Sequence, residues 1–213
     1  RRTIFIGNRI GYETEFPIPT HGVSEKLKPL VTIGNAIENM KNKKGEILNH
    51  DIESAKISKE LVRKRVEKIP EGKGIRYEKD EKAYLPKKLW LGIDWDTISE
   101  GRLREEQYHR LGRDEVAPTI MTSRHTYFHP TETRYLTCRE AAAIQSFPND
   151  YEFLGTVSQQ WRQIGNAVPP LLGKAIGKSI LKSIKMKKKA TTLQSRIVRK
   201  HAFDYKKDIT QNL

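Results

Sequence analysis

The residues best able to do chemistry lie between positions 134 and 170. Thr137, Cys138 and Glu140 begin a run of good helix formers, and the pair Gly165-Asn166 stands shortly before Pro169-Pro170. A thiol near a helix N-terminus can have a lowered pKa and act as a nucleophile. A Gly-Asn pair lets the backbone approach a ligand closely, and the dipole of the following helix favours an anionic group. These residues predict a binding or catalytic site.

Two helices must position this site. Thr137 and Glu140 have the spacing of a capping box, so a short helix should begin there and stop before Pro148. Pro170 suits the first turn of a second helix. That helix should bury an apolar stripe along one face. The stripe consists of Leu172, Ala175, Ile176, Ile180 and Ile184.

Upstream of this segment, shorter signals define further elements. Residues 57–69 have helical spacing that ends at Pro70. Residues 89–95, with two tryptophans, predict a packed core. Residues 119–122 and 3–6 predict strands. A polar loop, residues 123–126, follows the first of these strands.

The two blocks are specific enough to indicate a family. Residues 134–148, RYLTCREAAAIQSFP, resemble the ninth conserved block of the C5-cytosine DNA methyltransferases, and residues 163–170, QIGNAVPP, resemble the tenth. Residues 112–130 resemble the segment before the ninth block, and residues 1–7 resemble the second half of the eighth. The resemblance extends over residues 1–184.

This resemblance implies an α/β fold: the C-terminal part of a methyltransferase fold that uses S-adenosylmethionine, with an inserted α+β target-recognition domain. Residues 1–10 would form a strand of the catalytic domain, and residues 11–150 the recognition domain. Residues 151–184 would form a connector and a helix returning to the catalytic domain, and residues 185–213 a basic tail. The reaction implied is methyl transfer to carbon 5 of a cytosine flipped out of double-stranded DNA.

The resemblance also assigns candidate site residues. Arg2 matches the arginine that contacts the target cytosine, and a guanidinium suits an oxygen that gains negative charge. The cofactor wall would be Asn166, Ala167 and Val168. DNA contacts would come from Thr119, Ser123, Arg124, His125 and Thr126, whose side chains can donate to base edges or phosphates. The alternatives are a surface ion pair for Arg2, a packing role for 166–168 and a solvated loop for 119–126.

Several family blocks do not occur in this sequence. It contains neither the Pro-Cys motif of the catalytic cysteine, nor the Gly-rich cofactor loop, nor the Glu-Asn-Val block. We therefore expect the DNA-recognition half of an enzyme, active with a polypeptide that carries the N-terminal blocks. It could be a natural split subunit, a truncated product or an excised fragment. An inactive DNA-binding module and a purely structural partner subunit are the alternatives.

The lone cysteine is not the expected nucleophile. Cys138 lies in the ninth block, whose role in the family is structural, and the residue before it is Thr137 rather than proline. A single cysteine is more often a small packed hydrophobe than a catalyst. With the six histidines it shows no metal-ligand spacing, so we predict no zinc site.

Composition agrees with a nucleic-acid partner. The 213 residues carry a net charge of +14 and are 36% hydrophobic. Residues 181–213 contain ten Lys or Arg against two Asp, and such charge suits DNA phosphates or a solvated tail. No apolar run long enough for a membrane span and no signal-peptide pattern occurs. One cysteine fits a reducing compartment, so a cytoplasmic location is expected.

Overall fold

The architecture is helical, with irregular segments between the helices. The computed structural model describes residues 4–7, 15–97 and 107–185. Its helices are α1 (Ile33–Glu38), α2 (Glu60–Lys68), α3 (Glu78–Tyr84), a 3-10 turn (Lys87–Leu89), α4 (Cys138–Ile144), α5 (Val157–Asn166) and α6 (Pro170–Lys185). One compact unit comprises residues 31–173, and a second comprises residues before 31 and after 173.

The predicted strands are wrong where the structure describes them. Within the described ranges, extended pairing is limited to isolated bridges, as between Phe128 and Tyr135, so neither residues 4–7 nor 119–122 form a strand. The remaining residues of the proposed first strand lie outside the described part. Around Ile120 the backbone is bound by the Tyr127 hydroxyl rather than by a neighbouring strand: Tyr127 Oη donates to the Thr119 carbonyl at 2.7 Å and accepts from Met121 N–H at 2.8 Å.

Helix α4 begins as its sequence predicts. Thr137 Oγ1 accepts from Glu140 N–H at 3.2 Å, and the Glu140 carboxylate accepts from Thr137 N–H at 2.8 Å. The helix ends at Ile144, earlier than the predicted stop at Pro148, because the chain turns through a left-handed residue, Ser146, with φ 62°. Small side chains on α4 allow the close packing that its sequence indicates.

Arg139 binds two segments to α4 from inside the core. Its side chain is fully buried, and its guanidinium donates to the carbonyls of Leu48 at 3.0 Å, Pro148 at 3.1 Å and Tyr151. A buried cation needs such partners because burial without them is very costly. The arginine therefore fixes the turn that follows α4 and the segment that precedes residue 50.

Helix α5 lies where the sequence predicted only the connector that leads to the helix at Pro170. Its N-cap, Thr156, forms a capping box with Gln159, and Trp161 and Ile164 are buried in the main core. The Trp161 ring stacks on Tyr127 with centroids 5.9 Å apart and planes 7° from parallel. Gly165 and Asn166 are thus the last residues of a helix, not a loop before one.

Residues 57–97 form a small helical layer with its own core. The predicted helix over 57–69 is observed as α2, which starts three residues later. The predicted core at 89–95 is confirmed, since Leu89 is buried with Ile69, Ile75 and Leu85 while Trp90 and Trp95 pack against them.

In the smaller unit, α6 presents a different face from the predicted one. Ser179 and Ser183 are buried, whereas Ile180 is 37% exposed and Ile184 is 48% exposed. The serines face inward because their hydroxyls bind the backbone of Glu15: Ser183 Oγ accepts from Glu15 N–H at 3.3 Å, and Ser179 Oγ donates to the Glu15 carbonyl. The predicted apolar stripe is therefore only partly buried: Leu172, Ala175 and Ile176 are half-buried, whereas its last two residues are exposed.

Replacing Arg139 by methionine should destabilise the fold strongly, because three backbone carbonyls lose a charged donor and a fully buried side chain loses its polar partners. We expect the free energy of unfolding to fall by about 3 kcal/mol or more, measured by urea denaturation. Arg113→Met is the matched control: Arg113 pairs with Glu71 at 3.0 Å on the surface, so its loss should be much smaller. Equal losses in the two variants would contradict the role given to Arg139.

Candidate functional site

The predicted recognition residues lie in an exposed loop, residues 119–126, whose base is fixed. This segment is the predicted recognition loop. Thr119, Ser123, His125 and Thr126 are exposed, and Tyr127 N–H donates to the Arg124 carbonyl at 3.0 Å to close a turn. The Tyr127 hydroxyl clamps the other end through its bonds to Thr119 and Met121. The loop therefore presents four polar side chains to solvent from a backbone that is held at both ends.

Arg124 differs from its neighbours because it is half-buried and oriented. Its guanidinium donates to the Ser54 carbonyl and lies 5.7 Å from the centroid of the Tyr135 ring. Such contacts preorganise a guanidinium and reduce the entropy that it loses on binding. No acidic partner is found for Arg124 within the described residues, so its charge is available to an anion.

A cleft of about 500 Å³ opens beside this loop. Among the described residues, its lining contains aromatic rings and cations but no carboxylate. The lining residues are Ser58, Lys59, Val62, Gln107, Tyr108, His109, Arg124, His125, Thr126, Phe128 and Tyr135. Aromatic faces with nearby cations suit nucleic acid, whose bases stack and whose phosphates are anionic.

The three predicted cofactor residues lie at the C-terminal end of α5 and just beyond it. Asn166 ends the helix and is exposed, Ala167 is half-buried, and Val168 is 58% exposed. Asn166 also borders an open depression of about 520 Å³ with Leu154, Gly155, Gln159, Arg162 and Gln163. An exposed amide beside apolar side chains can form one wall of a cofactor site. The depression is too open to surround a bound molecule by itself.

Cys138 has the environment of a packed residue. It is 5% exposed, its thiol contacts the Val157 carbonyl at 3.9 Å, and burial raises the pKa of the thiol to about 11. The lowered pKa that its place at the start of α4 would favour is not found, because burial dominates. A buried thiol with a raised pKa is a poor nucleophile, which agrees with the packing role predicted for Cys138.

A buried ion cluster stands behind the recognition loop. Arg134 donates to both oxygens of Glu140 at 2.8 Å and to Glu132 at 2.9 Å. Burial by itself would raise the pKa of Glu140, but the hydrogen bonds from Arg134 and from Thr137 N–H outweigh burial and lower it. The cluster holds the segment that follows the loop against α4.

His129 completes this cluster in its neutral form. Its Nδ1 accepts from the backbone N–H groups of Thr131 at 3.3 Å and Glu132 at 3.1 Å, which leaves Nε2 as the protonated nitrogen facing Glu140 at 3.6 Å. Burial lowers the pKa of His129 despite the nearby carboxylates. Protonation of Nδ1 would remove the acceptor that both N–H groups use.

Arg2, the predicted contact to the target cytosine, lies outside the described residues. The structure brings together the other two predicted sets, since the recognition loop and the cofactor residues both rest on α5. Sequence reasoning missed Tyr127, Trp161 and α5 itself. The pattern Thr156-x-x-Gln159 was a usable signal for that helix, because it repeats the cap of α4.

Metal-binding clusters and membrane-spanning helices are both absent from the described residues. The described residues contain no group of three or more His, Cys, Asp or Glu side chains that could hold a metal ion. Of the helices in the described ranges, none has the length and apolarity needed to cross a membrane.

Comparison with known proteins establishes the family. Residues 1–182 match the C-5 cytosine-specific DNA methylase family, and this chain belongs to it. The match includes the recognition loop, the capped helix α4 and the C-terminal end of α5. The family predicted from residues 134–148 and 163–170 is therefore confirmed.

Individual relatives are type II methyltransferases. M.NgoFVII of Neisseria gonorrhoeae is 35% identical over 187 residues, which is 84% of this chain and 45% of the relative. M1.HphI of Haemophilus parahaemolyticus is 36% identical over 185 residues, 85% of this chain and 43% of the relative. M.AquIB of Picosynechococcus is 42% identical over 85 residues, 34% of this chain and 61% of the relative. This chain thus spans a little under half the length of the first two relatives.

Acidification below pH 6.5 should destabilise the fold through His129. The folded-state pKa is below the unfolded value of 6.5, so the unfolded chain binds the proton first and stability falls as pH drops towards the folded pKa. His129→Asn, which keeps an acceptor but does not titrate, should flatten this part of the curve of unfolding free energy against pH. Identical slopes between pH 6.5 and 5 for both proteins would contradict the assignment.

Proposed function

We propose that this chain is the DNA-recognition half of a DNA (cytosine-5-)-methyltransferase. It acts with the family blocks that carry the catalytic cysteine, whether those blocks are on the same polypeptide or another. The methyl group comes from S-adenosylmethionine and is transferred to carbon 5 of cytosine in double-stranded DNA. The chain contributes sequence recognition and one wall of the cofactor site.

One observation carries this proposal: a single helix, α5, supports both predicted sites. The Trp161 ring packs on Tyr127 at the base of the recognition loop, and the same helix ends at Asn166. A loop that reads DNA and a wall that faces the methyl donor must keep a fixed relation for the transfer to reach one chosen cytosine. A shared rigid helix provides that relation.

The residues have separate roles in this proposal. Ser123, Arg124, His125, Thr126 and Thr119 contact DNA, and the half-buried Arg124 is best prepared for a base edge because two contacts already orient it. Asn166, Ala167 and Val168 line the cofactor. Arg2 would donate to the target cytosine. The attacking thiolate comes from outside this sequence, since Cys138 is buried with a raised pKa.

The surface of α6 supports a docking role towards the catalytic domain. Ile180, Leu181 and Ile184 are 37%, 57% and 48% exposed. Apolar side chains clustered on one helix are typical of an interaction surface. A partial chain is also in keeping with the relative M.AquIB, of which 85 aligned residues make up 61%.

The direct test is methylation of a mixed-sequence duplex DNA with radiolabelled S-adenosylmethionine. The 213-residue chain should be inactive alone and should become active when a polypeptide carrying the Pro-Cys, Gly-rich and Glu-Asn-Val blocks is joined to it or added. Cys138→Ser is the control and should retain the activity of the complete system, because its thiol is not used.

Three outcomes would contradict the proposal. Methylation by the chain alone would place a nucleophile within it. Site-specific DNA binding without methylation in the complete system would instead support an inactive DNA-binding module, and absence of both would leave only a structural role.

Arg124→Ala should reduce sequence-specific binding more than nonspecific binding. The preferred sequence is first read from the wild-type protein by bisulfite sequencing of DNA that the complete enzyme has methylated. Affinity for that sequence should then fall by roughly tenfold or more, while affinity for unrelated DNA changes little. Arg113→Ala, an exposed arginine outside the loop, is the charge-matched control. Equal losses on both DNAs would remove Arg124 from base recognition.

A further inference from the structure

Gly165 marks an unusually close approach between α5 and the recognition loop. A Cβ atom at this position would lie 2.4 Å from the carbonyl carbon and oxygen of Met121 and 2.6 Å from Thr122 N. These are backbone atoms, so they cannot move aside by changing a rotamer. Only glycine permits α5 to lie directly against the chain at the start of the loop.

The reason for glycine is space and not backbone conformation. Gly165 lies inside α5 and is not among the described residues with positive φ. In an ordinary helix alanine would be the better residue, because glycine has poor helix propensity. Glycine is present here in spite of its poor helix propensity because the close contact with Met121 and Thr122 leaves no room for a Cβ atom.

The same face of α5 makes a second contact with the loop. Trp161 and Gly165 are four residues apart and so share one side of the helix. Trp161 stacks on Tyr127, whose hydroxyl binds Thr119 and Met121. The base of the loop is therefore held between the Tyr127 clamp and the backbone of α5. The helix then ends one residue later, at Asn166.

We propose that Gly165 is a positioning residue that sets the distance between the recognition loop and the cofactor wall. It touches neither DNA nor cofactor; it lets Met121 and Thr122 rest on the helix that ends in Asn166. Adding one methyl group would push apart the loop and α5, so that the cytosine chosen by the loop would no longer be presented correctly. This inference rests on the proposed function of the two sites.

The test compares Gly165→Ala with the wild type in the complete enzyme, expressed from its natural gene with any upstream coding sequence. Genomic DNA is methylated, and bisulfite sequencing gives the rate in each sequence context. We expect the ratio of methylation in the preferred context to methylation elsewhere to fall at least about tenfold, since displacement of reacting groups by about 1 Å can cost a hundredfold. The KM for S-adenosylmethionine is measured in parallel, because movement of α5 would also displace Asn166.

Gly173→Ala is the matched control. A Cβ atom on Gly173 would meet only Val168 Cγ1, at an ordinary 3.9 Å. The ratio of methylation in the preferred context to methylation elsewhere, and the KM, should therefore stay within about twofold of the wild type, a change that corresponds to ~0.4 kcal/mol. Loss of protein stability alone would lower methylation equally in all contexts. A Gly165→Ala enzyme with an unchanged context ratio and an unchanged KM would overturn the inference.

A second variant covers the case in which Gly165→Ala does not fold. Tyr127→Phe keeps the ring stacked on Trp161 but removes the hydroxyl that binds Thr119 and Met121, so it should lower the context ratio in the same direction. An unchanged ratio in this variant would also overturn the inference. If the wild-type enzyme itself does not methylate cytosine, it is the proposed function that fails, and the two failures are therefore distinguishable.

Discussion

The larger unit depends on two charged residues buried side by side in α4. Arg139 is fully buried and Glu140 is 2% exposed, so each needs partners inside the protein. Arg139 donates to backbone carbonyls in segments before and after the helix. Glu140 accepts hydrogen bonds from Arg134 and from the N–H of the helix N-cap, Thr137. Because an unpaired buried charge is so costly, these bonds hold the described part of the larger unit, which has short helices and only isolated bridges, in one arrangement. Packing of small residues around α4 then becomes possible.

Helix α5 connects that arrangement to the two predicted sites. It packs on α4 through the main core, where Gln145 of the α4 C-cap donates to the Ile164 carbonyl at 2.8 Å. One side of α5 carries the recognition loop, and its end carries the predicted cofactor residues. The loop can therefore be polar and exposed while its base remains rigid, which is the usual relation between a binding loop and its scaffold.

The sequence predicted those features that depend on local chemistry. The cap at Thr137, the proline at the start of α6 and the helix over 57–69 each follow from neighbouring residues. The predictions were wrong where a residue distant along the chain decides the local structure or the burial. The stretch around Ile120 looks like a strand, yet the hydroxyl of Tyr127 binds its backbone. Ser179 and Ser183 look solvent-facing, yet Glu15 supplies backbone partners that bury them. The need for glycine at position 165 likewise depends on the backbone of Met121, 44 positions away along the chain.

The central claim is that this sequence recognises DNA and faces the methyl donor but does not supply the attacking thiol. The most direct measurement is to trap the complete enzyme on duplex DNA that contains 5-fluorocytosine, in the presence of S-adenosylmethionine. Fluorine at carbon 5 cannot leave as a proton does, so the bond between the thiol and carbon 6 persists and peptide mass spectrometry can locate it. The account predicts an adduct on a cysteine outside these 213 residues. An adduct on Cys138 would contradict it.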